Sequence, residues 1–260
     1  MLVIKKDIRL VISGTYSTGK TTTTNALSIA TGIPLINALS AREILTELYP
    51  GRRFQDMNAT ELMALGLMRM EERIREEIVL QQQKGSFISD GSILNEWIYG
   101  TVRMKVGLNP GAKLTHRMVK AVLGIPGRGV FKKYLEAYGH VANLHAKKWY
   151  TDTVHLPIEF DMVANGHRPV SEKYRTLSDQ ELKTAFEDIG LKPHIIGGSQ
   201  KERLAKIIET YDLPLVMPIE EAISLAEKQI AENKEAVAKK IIEQYREPDF
   251  KEKIAIMTKY

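Results

Sequence analysis

The sequence predicts an α/β protein built on a doubly wound, mostly parallel sheet, and three observations carry that expectation. Short apolar runs near residues 8–12, 33–36, 86–90, 153–158 and 194–196 have strand length. The segments between them carry helical periodicity or helix caps, and a glycine-bounded turn directly follows the first run. Strands and helices alternating in this way close into a parallel sheet through right-handed crossovers.

The first run, Ile8, Leu10, Val11 and Ile12, is apolar throughout, as a strand covered on both faces must be. Gly14-Thr15-Tyr16-Ser17-Thr18-Gly19-Lys20-Thr21 then forms a complete phosphate-binding motif that opens into a helix-compatible segment. Its backbone N–H groups turn inward to cradle an anion, Lys20 reaches the outer phosphates, and the Thr21 hydroxyl suits Mg²⁺. The helix starting near Lys20 aims its positive end at the same place. Ala26, Leu27, Ile29 and Ala30 give that helix an apolar face, and Gly32 is placed to end it.

Ile33, Leu35 and Ile36 read as the second strand, followed by a helix with Arg42, Ile44, Leu45 and Leu48 that stops before Pro50. Asn58 followed three residues later by Glu61 resembles a reciprocal helix cap, opening a long charged helix that ends at Lys84-Gly85. Phe87-Ile88-Ser89-Asp90-Gly91 is a strand that delivers an acid to its C-terminal tip, where open α/β sheets bind ligands. Glycines and prolines between Gly100 and Tyr150 suggest short helices joined by turns, inserted as a cap over the site.

Residues 153–158 resume the sheet, with Pro157 marking the end of the strand. A polar loop from Asn165 to Arg175 carries Arg168 and Arg175, and a helix from about Ser178 to Ile189 follows. His194-Ile195-Ile196 is the last core strand, leading through Gly197-Gly198-Ser199 into a helix with Arg203. Ile223, Ala226, Ile230, Val237 and Ile241 lie near one stripe of a final amphipathic helix. The expected organisation is a main domain over 1–215, containing the 100–150 insert, with a helical extension over 216–260.

Composition narrows the function classes. Absence of cysteine excludes disulfides, thiolate metal sites and cysteine nucleophiles. The six histidines show no metal-ligand spacing, so no zinc site is expected. No apolar run has the length of a membrane span, which makes a cytoplasmic protein without a membrane partner the expectation. The net charge of +5 is unevenly placed: ten Lys or Arg between Gly100 and Tyr150 face the single acid Glu136. That segregation suits an anionic acceptor, while a solvated surface or a contact with another subunit in a homo-oligomer is the alternative.

Phosphoryl transfer needs charge neutralisation and alignment, and the sequence holds the parts for it. Lys20 and the loop hold phosphates, Thr21 and Asp90 hold Mg²⁺, and Asp90 can instead accept a proton from an attacking hydroxyl. A helix-capping Asp before Gly91 is the structural alternative. Arg168 and Arg175 are either lid groups that reach the transferring phosphoryl or surface arginines, and Arg42 is a candidate substrate clamp.

Ser13 to Thr22, Ala41-Arg42-Glu43, Phe87 to Asp90 and Gly197 to Arg203 together resemble the P-loop nucleoside and nucleotide kinases, and among them the ribosylnicotinamide kinase-like ATP-binding proteins of AAA type. The resemblance implies ATP and Mg²⁺ as cofactors, with residues 14–22 around the phosphates (Thr22 included) and Gly198 and Arg203 on the adenine side. It further implies acceptor roles for Arg42 and Asp90, and lid and catalytic roles for Arg168 and Arg175 beside Lys20. The basic insert and the C-terminal helix depart from the pattern. The leading expectation is a small-molecule kinase acting on a nucleoside, nucleotide or related metabolite. Two alternatives are a nucleotide-dependent regulatory protein and a kinase or binder acting on nucleic acid, with Trp97, Tyr134, Tyr138 or Trp149 for stacking. Asn233-Lys234-Glu235-Ala236 lacks the Asp of a guanine-reading motif, and Gly91 replaces the water-activating Glu of mechanical ATPases.

Overall fold

A computed structural model of the chain describes residues 7–36, 41–51, 57–106, 125–159, 171–247 and 249–257. Within them the order is β1 (Arg9–Ser13), α1 (Lys20–Thr31), β2 (Leu35–Ile36), α2 (Ala41–Leu48), α3 (Ala59–Lys84), β3 (Phe87–Asp90), α4 (Ile93–Val106), α5 (Ile125–Trp149), β4 (Asp152–His155), α6 (Glu172–Asp188), β5 (His194–Ile195), α7 (Gln200–Thr210), α8 (Ile219–Gln244) and α9 (Phe250–Met257).

Among the described residues the strands form one sheet in the order β2-β3-β1-β4-β5, and every neighbouring pair is parallel. The α/β fold expected from the alternation is therefore present. Strand β1 lies at the centre, with Ile12 opposite Asp90 of β3 and Ser13 opposite His155 of β4. The chain leaves β1 for the far side of β3, then returns across β1 to reach β4. The C-terminal edge of β1 is thus the point where strand order reverses, which is where open sheets of this kind open a ligand crevice.

The pleat of β1 sends alternate side chains into two apolar layers. Leu10 and Ile12 join Ala26, Leu27 and Ala30 of α1, Leu204 and Ile207 of α7, and Ala222 and Ala226 of α8. Val11 faces the other way, toward Ile93, Ile98 and Val102 of α4, Tyr138 and Ala142 of α5, and Leu182 and Phe186 of α6. Each such Leu, Ile or Phe removed from water stabilises the fold by about 1.5–3 kcal/mol. A smaller third cluster, Ile44, Leu45, Met57 and Leu65, joins α2 to α3.

Local signals set the helix ends. Asn58 and Glu61 form the reciprocal cap expected of them: Glu61 N–H donates to Asn58 Oδ1 at 2.9 Å, and Asn58 N–H donates to Glu61 Oε2 at 2.7 Å. Helix α6 starts earlier than its sequence suggests. Ser171 accepts from the Tyr174 N–H at 3.2 Å and caps the helix at Glu172, so Arg175 is helical rather than part of the preceding loop.

The basic stretch also differs from expectation in its secondary structure. Its described parts are the end of α4 and one 25-residue helix, α5, instead of several short helices. Pro126 falls at the start of that helix, where its missing N–H breaks no helical bond. Gly139 lies in its interior because the indole of Trp97 occupies the space where a Cβ would stand, within 2.6 Å. Trp97, Tyr134, Tyr138 and Trp149 all pack into the cluster around α4 and α5, which accounts for these aromatics by burial. No helix among the described residues is long and apolar enough to cross a membrane.

Candidate functional site

The turn from Gly14 to Gly19 bridges β1 and α1, and its backbone follows from two glycines. Gly14 has φ 149° and a Cβ there would stand 2.8 Å from Thr18 Oγ1; Gly19 has φ 79° and a Cβ there would meet the Gln200 amide at 2.7 Å. Both conformations and both close approaches are open to glycine alone. Ser17 also lies at positive φ, 58°, which costs a non-glycine residue free energy and persists only when its surroundings hold it.

Lys20 and Thr21 occupy the first turn of α1. The Lys20 ammonium stands 3.1 Å from Asp90 Oδ1, across the tips of two adjacent strands. Burial alone would push the Asp90 carboxyl up. The charge of Lys20, hydrogen bonds from Thr21 and Lys20, and the charge of Arg73 outweigh it and hold the group below its ordinary value. Asp90 is therefore a carboxylate at neutral pH. Capping of α4 falls to Ser92, whose Oγ accepts from the Asn95 N–H at 3.3 Å while its own N–H donates to Asn95 Oδ1 at 2.9 Å. The Asp90 side chain is thus left to face Lys20.

A second cation supports the β3 tip from behind. Arg73 of α3 is buried and donates to Ser89 Oγ at 2.8 Å, to the Asp90 carbonyl at 3.2 Å and to the Gly91 carbonyl at 3.4 Å. Glu96 of α4 pairs with Arg69 and lies 3.9 Å from Arg73. Deeper still, Glu77 is fully buried between His145, at 2.6 Å, and the Tyr150 hydroxyl, at 2.9 Å. The sequence reading gave only a long charged helix here and singled out neither Arg73 nor Glu77, whose burial depends on what packs over α3.

On the β4 side, His155 is buried at the strand tip next to Ser13. Its Nδ1 lies 3.4 Å from Ser13 Oγ and its Nε2 2.8 Å from Asp179 Oδ1 of α6, and Asp179 also pairs with Lys183 at 2.9 Å. Burial opposes the Asp179 charge, but hydrogen bonds from His155 and Lys183 keep its carboxyl below the usual range.

The arginines expected around the site, on the acceptor, lid and adenine sides, divide by position. Arg175 is buried, with its Nε donating to the Tyr16 carbonyl at 3.0 Å. Arg203 is fully buried, bonded to the Thr18 carbonyl at 2.5 Å and to Glu159 at 2.6 Å. Gly198 presents its N–H to the same Glu159 carboxylate at 3.0 Å. Hydrogen bonds from Arg203 and Gly198 draw the Glu159 carboxyl below its ordinary value. Arg42 lies in the first turn of α2, its side chain outside the described residues, and Arg168 lies outside them altogether.

Thr21 and Asp90 place a hydroxyl and a carboxylate together, the hard oxygen donors that Mg²⁺ takes when phosphate and water complete its shell. Among the described residues no cluster of three or more His, Cys, Asp or Glu forms a denser metal cage.

A parallel sheet with a glycine-bounded anion loop at its switch point, backed by a helix N-terminus and a lysine, defines a nucleotide-binding protein of the P-loop class. A family model described as an AAA domain matches residues 9–203, and the chain belongs to that family. No curated protein matches it. Among solved structures it is similar to deoxyadenosine kinase from M.mycoides with the products dCMP and a flexible dCDP bound, at 11% identity and a TM-score of 0.45, over 86% of this chain and 99% of that one.

Proposed function

We propose that the protein is an ATP-dependent phosphotransferase acting on a hydroxyl or phosphate of a small molecule, with a nucleoside, nucleotide or related metabolite as the acceptor class. The observation that supports this reading best is the pairing of Lys20 and Asp90 at 3.1 Å where the loop meets the β3 tip. A phosphate chain seated in the loop would draw Lys20 toward its outer oxygens. That frees the Asp90 carboxylate to face an acceptor or Mg²⁺.

For a hydroxyl acceptor, its oxygen attacks the γ-phosphorus, the bond from phosphorus to the β,γ-bridging oxygen breaks, and ADP leaves. Asp90 then takes the hydroxyl proton, a role open to it because its carboxyl is ionised at neutral pH. The amides of residues 15–19, with Lys20, Thr21 and Thr22, hold the phosphates in this assignment. Where Asp90 instead orders Mg²⁺ together with Thr21, the ion would neutralise charge on the transferring group.

Acceptor-stimulated ADP formation, measured across a panel of nucleosides, nucleotides and sugar derivatives, tests the proposal. Stimulation by one chemical class, lost in Lys20→Ala, is the expected result. ATP turnover that no acceptor raises, or that survives Lys20→Ala, would rule the reading out.

A further inference from the structure

Every carbonyl of the phosphate loop, from Gly14 to Gly19, accepts a hydrogen bond from a side chain. The Gly14 carbonyl takes the Tyr99 hydroxyl at 3.1 Å and the Asn95 amide at 3.4 Å. Thr15 takes the Thr18 hydroxyl at 3.1 Å, and Gly19 takes the Gln200 amide at 3.3 Å and the Thr23 hydroxyl at 3.1 Å. The three carbonyls between them belong to arginines: Tyr16 and Ser17 to Arg175, at 3.0 and 3.4 Å, and Thr18 to Arg203, at 2.5 Å.

This arrangement has two physical consequences. In a trans peptide the N–H points away from the carbonyl, so side chains that hold the carbonyls of residues 16–18 also fix the direction of the N–H groups that follow them. Each arginine also polarises the peptides it touches. The carbonyl of residue 16 shares a peptide with the N–H of Ser17, that of 17 with Thr18 and that of 18 with Gly19. A cation on the carbonyl oxygen strengthens the N–H donor at the other end through hydrogen-bond cooperativity.

The clamps are themselves fixed. Arg175 is 1% exposed and Arg203 0%. Arg203 divides its guanidinium between the loop and Glu159. Arg175 shares a helix face with Asp179, four residues on, which holds His155 against Ser13 at the loop entrance. The left-handed backbone of Ser17 falls at the loop residue whose two flanking carbonyls, its own and that of Tyr16, both bond to Arg175.

We propose that Arg175 and Arg203 are positioning residues that set the loop's affinity for a triphosphate from behind, through its carbonyls and without contact with the ligand. The affinity part of this inference rests on the nucleotide reading above; the clamping part does not. Arg175→Lys and Arg203→Lys keep the charge but lose the planar fork that serves two acceptors.

Two measurements test it. Calorimetry with ATP and with inorganic tripolyphosphate, each with Mg²⁺, should show both ligands weakened about 10- to 100-fold in each variant, the loss expected for a charge-assisted hydrogen bond. Backbone order parameters of residues 16–19 in the ligand-free protein should lie near ~0.85 in the native chain and fall toward ~0.6 in the variants, while β1 and β3 are unchanged. A purely structural role would lower melting temperature without this localised loosening. Should Arg203→Lys not fold, Arg175→Lys, whose further partner Glu172 is exposed, carries the test.

Lysine variants that bind both ligands as tightly as the native protein, or a native loop already mobile without ligand, would overturn the proposal. A native protein with a rigid loop that binds neither ligand would instead overturn the nucleotide reading, and the affinity claim with it.

Discussion

The Lys20–Asp90 pair concentrates the site's chemistry in two side chains that sit seventy residues apart in sequence and 3.1 Å apart in space. Lys20→Ala should abolish turnover and leave the fold intact, checked by activity and circular dichroism, because Lys20 is a partly exposed group on the first turn of α1. Asp90→Asn should lower kcat at least ~100-fold with a smaller effect on ATP affinity if the carboxylate accepts the proton, general-base contributions being about 10²–10⁴. The pair also gives a pH signature. Because the folded carboxyl lies below its unfolded value of about 3.9, its contribution is present above that pH and disappears as acid takes the solution through the lower, folded value. Native protein should therefore lose stability in that acidic window more steeply than Asp90→Asn, as read by thermal melts across pH. At this scale the sequence put the loop, Lys20 and Thr21 after the first strand and Asp90 at the tip of another, and the structure brings Lys20 and Asp90 together. Arg73 was not legible there, since an arginine within a run of charged residues looks the same whether its face meets water or a strand tip.

Helices and strands were legible where a local group dictates them. The Asn58–Glu61 cap and the glycine ends of α1 and α3 are short-range devices, and they stand where the sequence placed them. Asn58→Ala should cost about 1 kcal/mol, visible as a shift in the denaturant midpoint. Helix α5 departs from its sequence reading because Pro126, Gly127 and Gly129 fall near its start without breaking it, while Gly139 in its interior makes room for the Trp97 ring. Gly139→Ala should cost about 1–3 kcal/mol, since the added methyl runs into the rigid Trp97 ring. Near-native stability in that variant, measured by chemical denaturation, would refute the close packing of α4 on α5. The early start of α6 is decided by a serine cap at Ser171, ahead of the start near Ser178 expected from the sequence.

For the molecule as a whole, α8 belongs to the same apolar cluster as β1, α1 and α7, to which it contributes the fully buried Ala222 and Ala226. The backbone bond from Val216 N–H to the Ala30 carbonyl, 2.8 Å, ties its approach to α1 as well. Ala226→Glu should therefore destabilise the P-loop core and not only the final helix, by burying an unpaired charge between two helices in close contact. Melting followed separately by far-ultraviolet dichroism and by tryptophan fluorescence should shift together; a native-like fluorescence transition would mean that α8 is a separate appendage. What the sequence by itself determined is the α/β class, the chain positions of the five strands and the glycine-bounded turn between the first strand and the first helix, because strand alternation, caps and glycine turns are written within a few residues of where they act. What only the tertiary structure decided is which distant side chains stand behind that loop. Arg175 and Arg203 reach it across roughly 160 and 185 residues of chain, and long-range placement of that kind is set by how helices pack on the sheet, which no local pattern records.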